Sequence, residues 1–103
     1  MNKGITLNQG ENVLSTLNGL FEVFDGIQNI YFGDLFLTNK RLYVVSNKLT
    51  NMEESLWFEK ETEMEYIEDH SLIVGEHRVT VRWTHNGNLL KFMKAFQQLD
   101  LNA

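Results

Sequence analysis

Apolar and polar side chains alternate most regularly between Gly33 and Ser46. The runs Leu35-Phe36-Leu37-Thr38 and Arg41-Leu42-Tyr43-Val44 flank Asn39-Lys40, a pattern that predicts a β-hairpin turning at those two residues. With that turn Thr38 faces Arg41, Leu37 faces Leu42, Phe36 faces Tyr43 and Leu35 faces Val44. Side chains alternate with period 2 along a strand, so Leu35, Leu37, Leu42 and Val44 share one wholly aliphatic face. Asp34, Phe36, Thr38, Arg41, Tyr43 and Val45 share the other, with an aromatic pair at its middle of the kind that holds register. Asn39 tolerates the positive φ of a tight turn; Lys40 suits it poorly, which leaves a bulged or longer loop open.

The pattern elsewhere is less regular. Val13, Leu14, Leu17, Leu20, Phe21 and Phe24 fit helical spacing, and a strand that changes phase at a bulge near Asn18-Gly19 fits as well. Residues 25–29 and 47–51 read as loops. From Ser55 to Asp69 the chain is strand-like, and Ser71–Val74 and Arg78–Trp83 read as short strands around a Gly75-Glu76-His77 turn. In the second of these, Val79, Val81 and Trp83 fall on one face. Leu89, Phe92, Met93, Phe96 and Leu99 then form an apolar helical stripe, with Asn88 as its N-cap. Asn86-Gly87 as a hairpin turn is the competing reading, and the stripe favours the helix.

The hairpin residues Gly33, Leu35, Leu37, Thr38, Asn39, Arg41 and Leu42 resemble the G-x-L-x-L-T-N-x-R-L hairpin of GRAM domains and related bacterial pleckstrin-homology-like (PH-like) domains. Gly10-Glu11-x-Val13-Leu14 looks like that family's usual first strand. The resemblance implies a mainly β (α+β) fold, a PH-like barrel or sandwich of about seven antiparallel strands in two near-orthogonal sheets capped by a C-terminal amphipathic helix. It is also what selects the strand over the helix for residues 11–24. Residues 1–10 then form a polar lead-in and residues 11–103 a single domain.

Length and charge narrow the picture. At 103 residues with 43% hydrophobic side chains, the chain is one domain with a real core. It contains no cysteine, so thiolate metal sites and disulfides are excluded. The first residues show no signal-like apolar run, and a cytoplasmic protein is expected. The net charge of −5 opposes nucleic acid and anionic membranes unless a local basic patch intervenes.

Candidate chemistry is sparse. His70, His77 and His85 fall in predicted turns without metal-ligand spacing and read as solvated; no metal or cofactor is expected. No serine has the framing of an activated nucleophile, so an enzyme is not expected. Glu59, Glu61, Glu63 and Glu65 alternate, and one unbroken strand would align all four for a cation or a basic partner. The plainer reading is a solvated strand face, and a bend near Glu61 or Thr62 would break the row. In lipid-binding PH-like domains the head group sits at the open end of the barrel. The corresponding rim, residues 25–29, 47–54 and 75–78, offers Lys48 and Arg78 as possible anion ligands against Asp25, Glu53, Glu54 and Glu76. Such a rim disfavours membrane lipid. What remains is protein contact. Trp57 and Phe58 are adjacent and point to opposite faces of a strand, and Tyr31, Phe32, Phe36 and Tyr43 add aromatic surface. The expected function is a non-catalytic interaction module that binds protein partners or itself as a homo-oligomer, with Trp57 or Phe58 in the contact; a peripheral phospholipid- or phosphoinositide-binding domain is the alternative.

Overall fold

The computed structural model describes residues 5–46, 52–59, 61–67 and 70–101. Seven antiparallel strands form one continuous, curled sheet: β1 (Val13–Phe24), β2 (Gln28–Thr38), β3 (Arg41–Ser46), β4 (Glu53–Trp57), β5 (Met64–Ile67), β6 (Ser71–Val74) and β7 (His77–Asn86). Their order is β4-β3-β2-β1-β7-β6-β5, so the long first strand lies at the centre and β4 and β5 are the edges. A single helix, α1 (Leu89–Leu101), follows. No helix among the described residues is long and apolar enough to cross a membrane.

The β2–β3 hairpin has the expected register, with Leu35 opposite Val44, Phe36 opposite Tyr43 and Leu37 opposite Leu42. Its turn is made differently from the expectation. Among the described residues His70 alone, outside glycine, has a positive φ, so Asn39 does not use that region. Instead the Thr38 hydroxyl accepts the backbone N–H groups of Lys40 (3.0 Å) and Arg41 (2.9 Å). A side-chain acceptor thus does what a left-handed residue does in a tighter hairpin.

Residues 13–24 are a strand, and the helical alternative is excluded. The expected phase change within it does not occur. Leu17, Gly19, Phe21 and Val23 alternate without a break towards the interior, and Leu20 faces outward. β1 has its one extra residue earlier, at Leu14; beside Gly19 the irregularity lies in the partner, where Leu20 pairs with Trp83 while Phe21 pairs with Val81, which makes Arg82 an extra residue on β7. That extra residue turns Trp83 to the face opposite Val79 and Val81, correcting the expectation that the three share a side. Gly19 sits at this disturbance, where a β-carbon would lie 1.9 Å from the Trp83 carbonyl oxygen.

The concave face of the sheet holds the core. Leu17, Phe21, Leu35, Leu37, Leu42, Val44, Leu72 and Val79 are fully buried there together with Phe92 and Phe96 of α1. The helix begins as expected: Asn88 Oδ1 accepts the Lys91 N–H at 3.0 Å. It packs on β1 and on the edge strand β5. Just past the other edge strand, Phe58 meets Phe96 edge-on at 6.2 Å. One helix therefore closes the interior between the two sheet edges. The predicted strand over residues 55–69 is two strands with a turn between them, where the Thr62 N–H donates to the Glu59 carbonyl at 2.9 Å. The row Glu59, Glu61, Glu63, Glu65 is broken there, since β5 contains Glu65 alone of the four.

The described part of the lead-in lies across the hairpin turn. Asn39 Nδ2 donates to the Gly10 carbonyl (3.0 Å), and Asn39 Oδ1 accepts the Asn12 N–H (2.7 Å). Glu11 is buried and accepts from Arg41 Nε (2.8 Å), the Thr38 hydroxyl (2.7 Å) and the Asn8 N–H (2.9 Å). Burial pushes this carboxyl upward, but those donors and the Arg41 charge outweigh it and hold the group down at about 2.

Candidate functional site

The interior is filled by apolar side chains, so contact surface has to be sought on the convex face and at the open end. Leu20 of β1 pairs with Phe32 of β2 on one side and Trp83 of β7 on the other. All three point outward, and the Phe32 and Trp83 rings lean together edge-on at 6.1 Å. Trp83 is 50% exposed and Phe32 42%. His85 flanks Trp83 with its ring 5.5 Å away, and Ile30, the next outward position along β2, is also exposed. Further along the same face Phe36 and Tyr43 lie 6.0 Å apart. The Arg41 guanidinium sits 4.8 Å from the Tyr43 ring and 4.7 Å from that of Trp57. Between the two aromatic groups, Asn18 Nδ2 donates to Asp34 Oδ1 at 2.8 Å.

The open end is built differently. Phe24 pairs with both Gln28 and Arg78, so the β1–β2 and β6–β7 turns lie at the same end of the sheet. There His77 Nε2 lies 3.3 Å from Glu54 Oε2 and 3.6 Å from Asp25 Oδ2. The buried Tyr31 hydroxyl donates to Glu54 Oε1 at 2.9 Å. Burial, that hydrogen bond and the charges of Glu54 and Asp25 push the Tyr31 phenol up to about 12. Arg78 and Arg82 line a shallow cleft on the outer surface with Glu22, Phe24, Gln28 and Thr80. Arg82 Nε lies 3.8 Å from Glu22 there.

Of the residues singled out from sequence, Trp57 is exposed on the outer face at the edge strand. Phe58 turns the other way and packs half-buried on the core. Tyr31, grouped with the aromatics, is a core residue. Arg78 is on the outer cleft, and Lys48 lies outside the described residues. His70 and His85 are exposed turn and strand-end residues, whereas His77 is a partly buried residue of β7 held between two carboxylates, which corrects the solvated-turn reading. Trp83 was hidden by the bulge at Arg82, and His77 by the distance in sequence to Asp25 and Glu54. No protein-family model matches this chain, and the search of curated proteins finds no match either.

Proposed function

We propose that the chain is a non-catalytic, PH-like interaction module that self-associates through its convex face. The observation that carries this reading is the row Phe32–Leu20–Trp83 on neighbouring central strands, in which the exposed Phe32 and Trp83 flank a half-buried Leu20. Exposed apolar surface of this continuity is characteristic of contact sites. Trp57, on the same face beside Arg41, extends it towards the sheet edge. The PH-like assignment, with β1–β4 and β5–β7 as two near-orthogonal sheets, is supported by the hairpin motif and by seven antiparallel strands followed by one C-terminal helix. A filled interior supports a role in contact rather than catalysis.

Light scattering across a micromolar concentration series tests the reading. The expected mass exceeds the 12.0 kDa of one chain and falls on dilution. Burying one aromatic side chain contributes roughly 1.5–3 kcal/mol, so Trp83→Ala should weaken association about tenfold or more. Trp57→Ala should weaken it less, and Phe58→Ala should lower stability instead. A monomer mass at every concentration overturns the proposal.

A further inference from the structure

Asp25, Glu54 and His77 come from the β1–β2 turn, β4 and the start of β7, and converge at the open end. One ligand atom from each lies within 4.8 Å of the other two. Donors bound to a single zinc ion at about 2.0–2.2 Å stand roughly 3.3–3.6 Å apart in tetrahedral geometry. The 3.3 Å and 3.6 Å separations from His77 Nε2 to Glu54 and Asp25 already match that spacing. The carboxylates are also oriented. Glu54 Oε1 is occupied by the Tyr31 hydroxyl and Asp25 Oδ1 by the Ile27 N–H (3.2 Å), which turns Oε2 and Oδ2 towards the imidazole. Tyr31, held in the core, acts as an outer partner that fixes a ligand's direction. Charge points the same way. Among the described residues, His77 is the only basic side chain in ion-pair range of either carboxylate, in a chain whose net charge is −5.

We propose that Asp25, Glu54 and His77 bind a divalent first-row transition ion of the zinc class, with Tyr31 positioning Glu54. An imidazole with two carboxylates suits such an ion, whereas magnesium and calcium take six or more oxygen ligands. Three protein ligands leave a further coordination position open to water or to an incoming acidic group. The site is separate from the convex face and does not depend on the self-association proposed above.

Calorimetric titration of the whole chain with zinc chloride, reversed by EDTA, tests this. One ion per chain should bind at neutral pH and raise the melting temperature; magnesium and calcium should not. His77→Ala should abolish binding, and Glu54→Gln should weaken it about tenfold or more. Tyr31→Phe keeps the buried ring and should weaken binding roughly tenfold without changing the stoichiometry. A His70→Ala/His85→Ala double variant should bind as the parent does. Circular dichroism of the metal-free variants verifies that each is folded, and His77→Gln replaces His77→Ala if the latter is not. The proposal is overturned if zinc shows no saturable uptake, which would leave His77 a plain ion-pair partner. It is equally overturned if uptake survives loss of His77 or vanishes with His70 and His85.

Discussion

Glu11 and Arg41 show how one buried pair fastens two parts of the chain. Arg41 donates to Glu11, to the Ser55 hydroxyl (2.8 Å) and to the Thr6 carbonyl (2.9 Å), so the guanidinium ties the lead-in, the hairpin and β4 together. The motif residues Thr38, Asn39 and Arg41 thus have a structural role, since each hydrogen-bonds the segment before β1. Removing one partner of a buried ion pair leaves the other charge uncompensated, at a cost of about 3–5 kcal/mol. Glu11→Ala should lose that much in urea unfolding at neutral pH. The acid response follows from the same site. The folded carboxyl titrates at about 2, below its ordinary 4.5, so between those values the unfolded chain holds the extra proton. The stability it contributes is complete above about 4.5 and is lost as pH falls towards 2. Glu11→Gln should remove this part of the acid dependence, and an unchanged profile would contradict the assignment.

At the scale of elements, α1 is the piece that completes the fold. Phe92 and Phe96 are fully buried, and Phe58 and β5 meet the helix from the two sheet edges. Deleting residues 88–103 should expose the concave face and abolish cooperative thermal unfolding; a truncated chain with an unchanged midpoint would refute this placement. The elements differ in how far the sequence discloses them. The hairpin and the helix are legible because Leu35, Leu37, Leu42 and Val44 in the one, and Phe92, Met93 and Phe96 in the other, are inward and apolar at the right period. β1 is not, because Gly19 takes an inward position where no side chain fits against the Trp83 carbonyl. The remaining inward residues Leu17 and Phe21 then stand four apart, and the outward Leu14, Leu20 and Phe24 complete a false helical stripe. Trp83 is misread for a related reason, since one extra residue at Arg82 reverses the phase of Trp83 and Thr84, until a second extra residue at His85 restores it. The outward row Phe32–Leu20–Trp83 depends on that reversal, so the sequence pattern alone conceals it. The open-end cluster is hidden otherwise: its members belong to three elements that only the curl of the sheet brings together.

For the whole molecule, the decisive contest is between apolar tip and acidic rim. Ile27 at the β1–β2 turn is 70% exposed, and Phe24 beside it is also open, which would favour insertion into a bilayer. Burying an aliphatic side chain contributes roughly 1.5–3 kcal/mol. Against this, the described rim carries Asp25, Glu53, Glu54 and Glu76, with Arg78 as its one arginine. A charge near an anionic leaflet is worth about 1 kcal/mol, here repulsive for each carboxylate. Four carboxylates against one arginine thus oppose contact by about 3 kcal/mol, which cancels what one apolar side chain gains before any cost of ordering. Tyr43 shares its hydroxyl with Glu53, and His77 holds Asp25 and Glu54, so neither leaves a donor set aimed at phosphate. Sedimentation with phosphoinositide-containing vesicles, in EDTA and at physiological salt, should therefore leave the protein in the supernatant. Ile27→Asp should change nothing in that assay. Pelleting that is weakened by salt and lost on Lys48→Glu would reverse the ranking and make an anionic lipid surface, rather than a second copy of the chain, the partner this fold presents itself to.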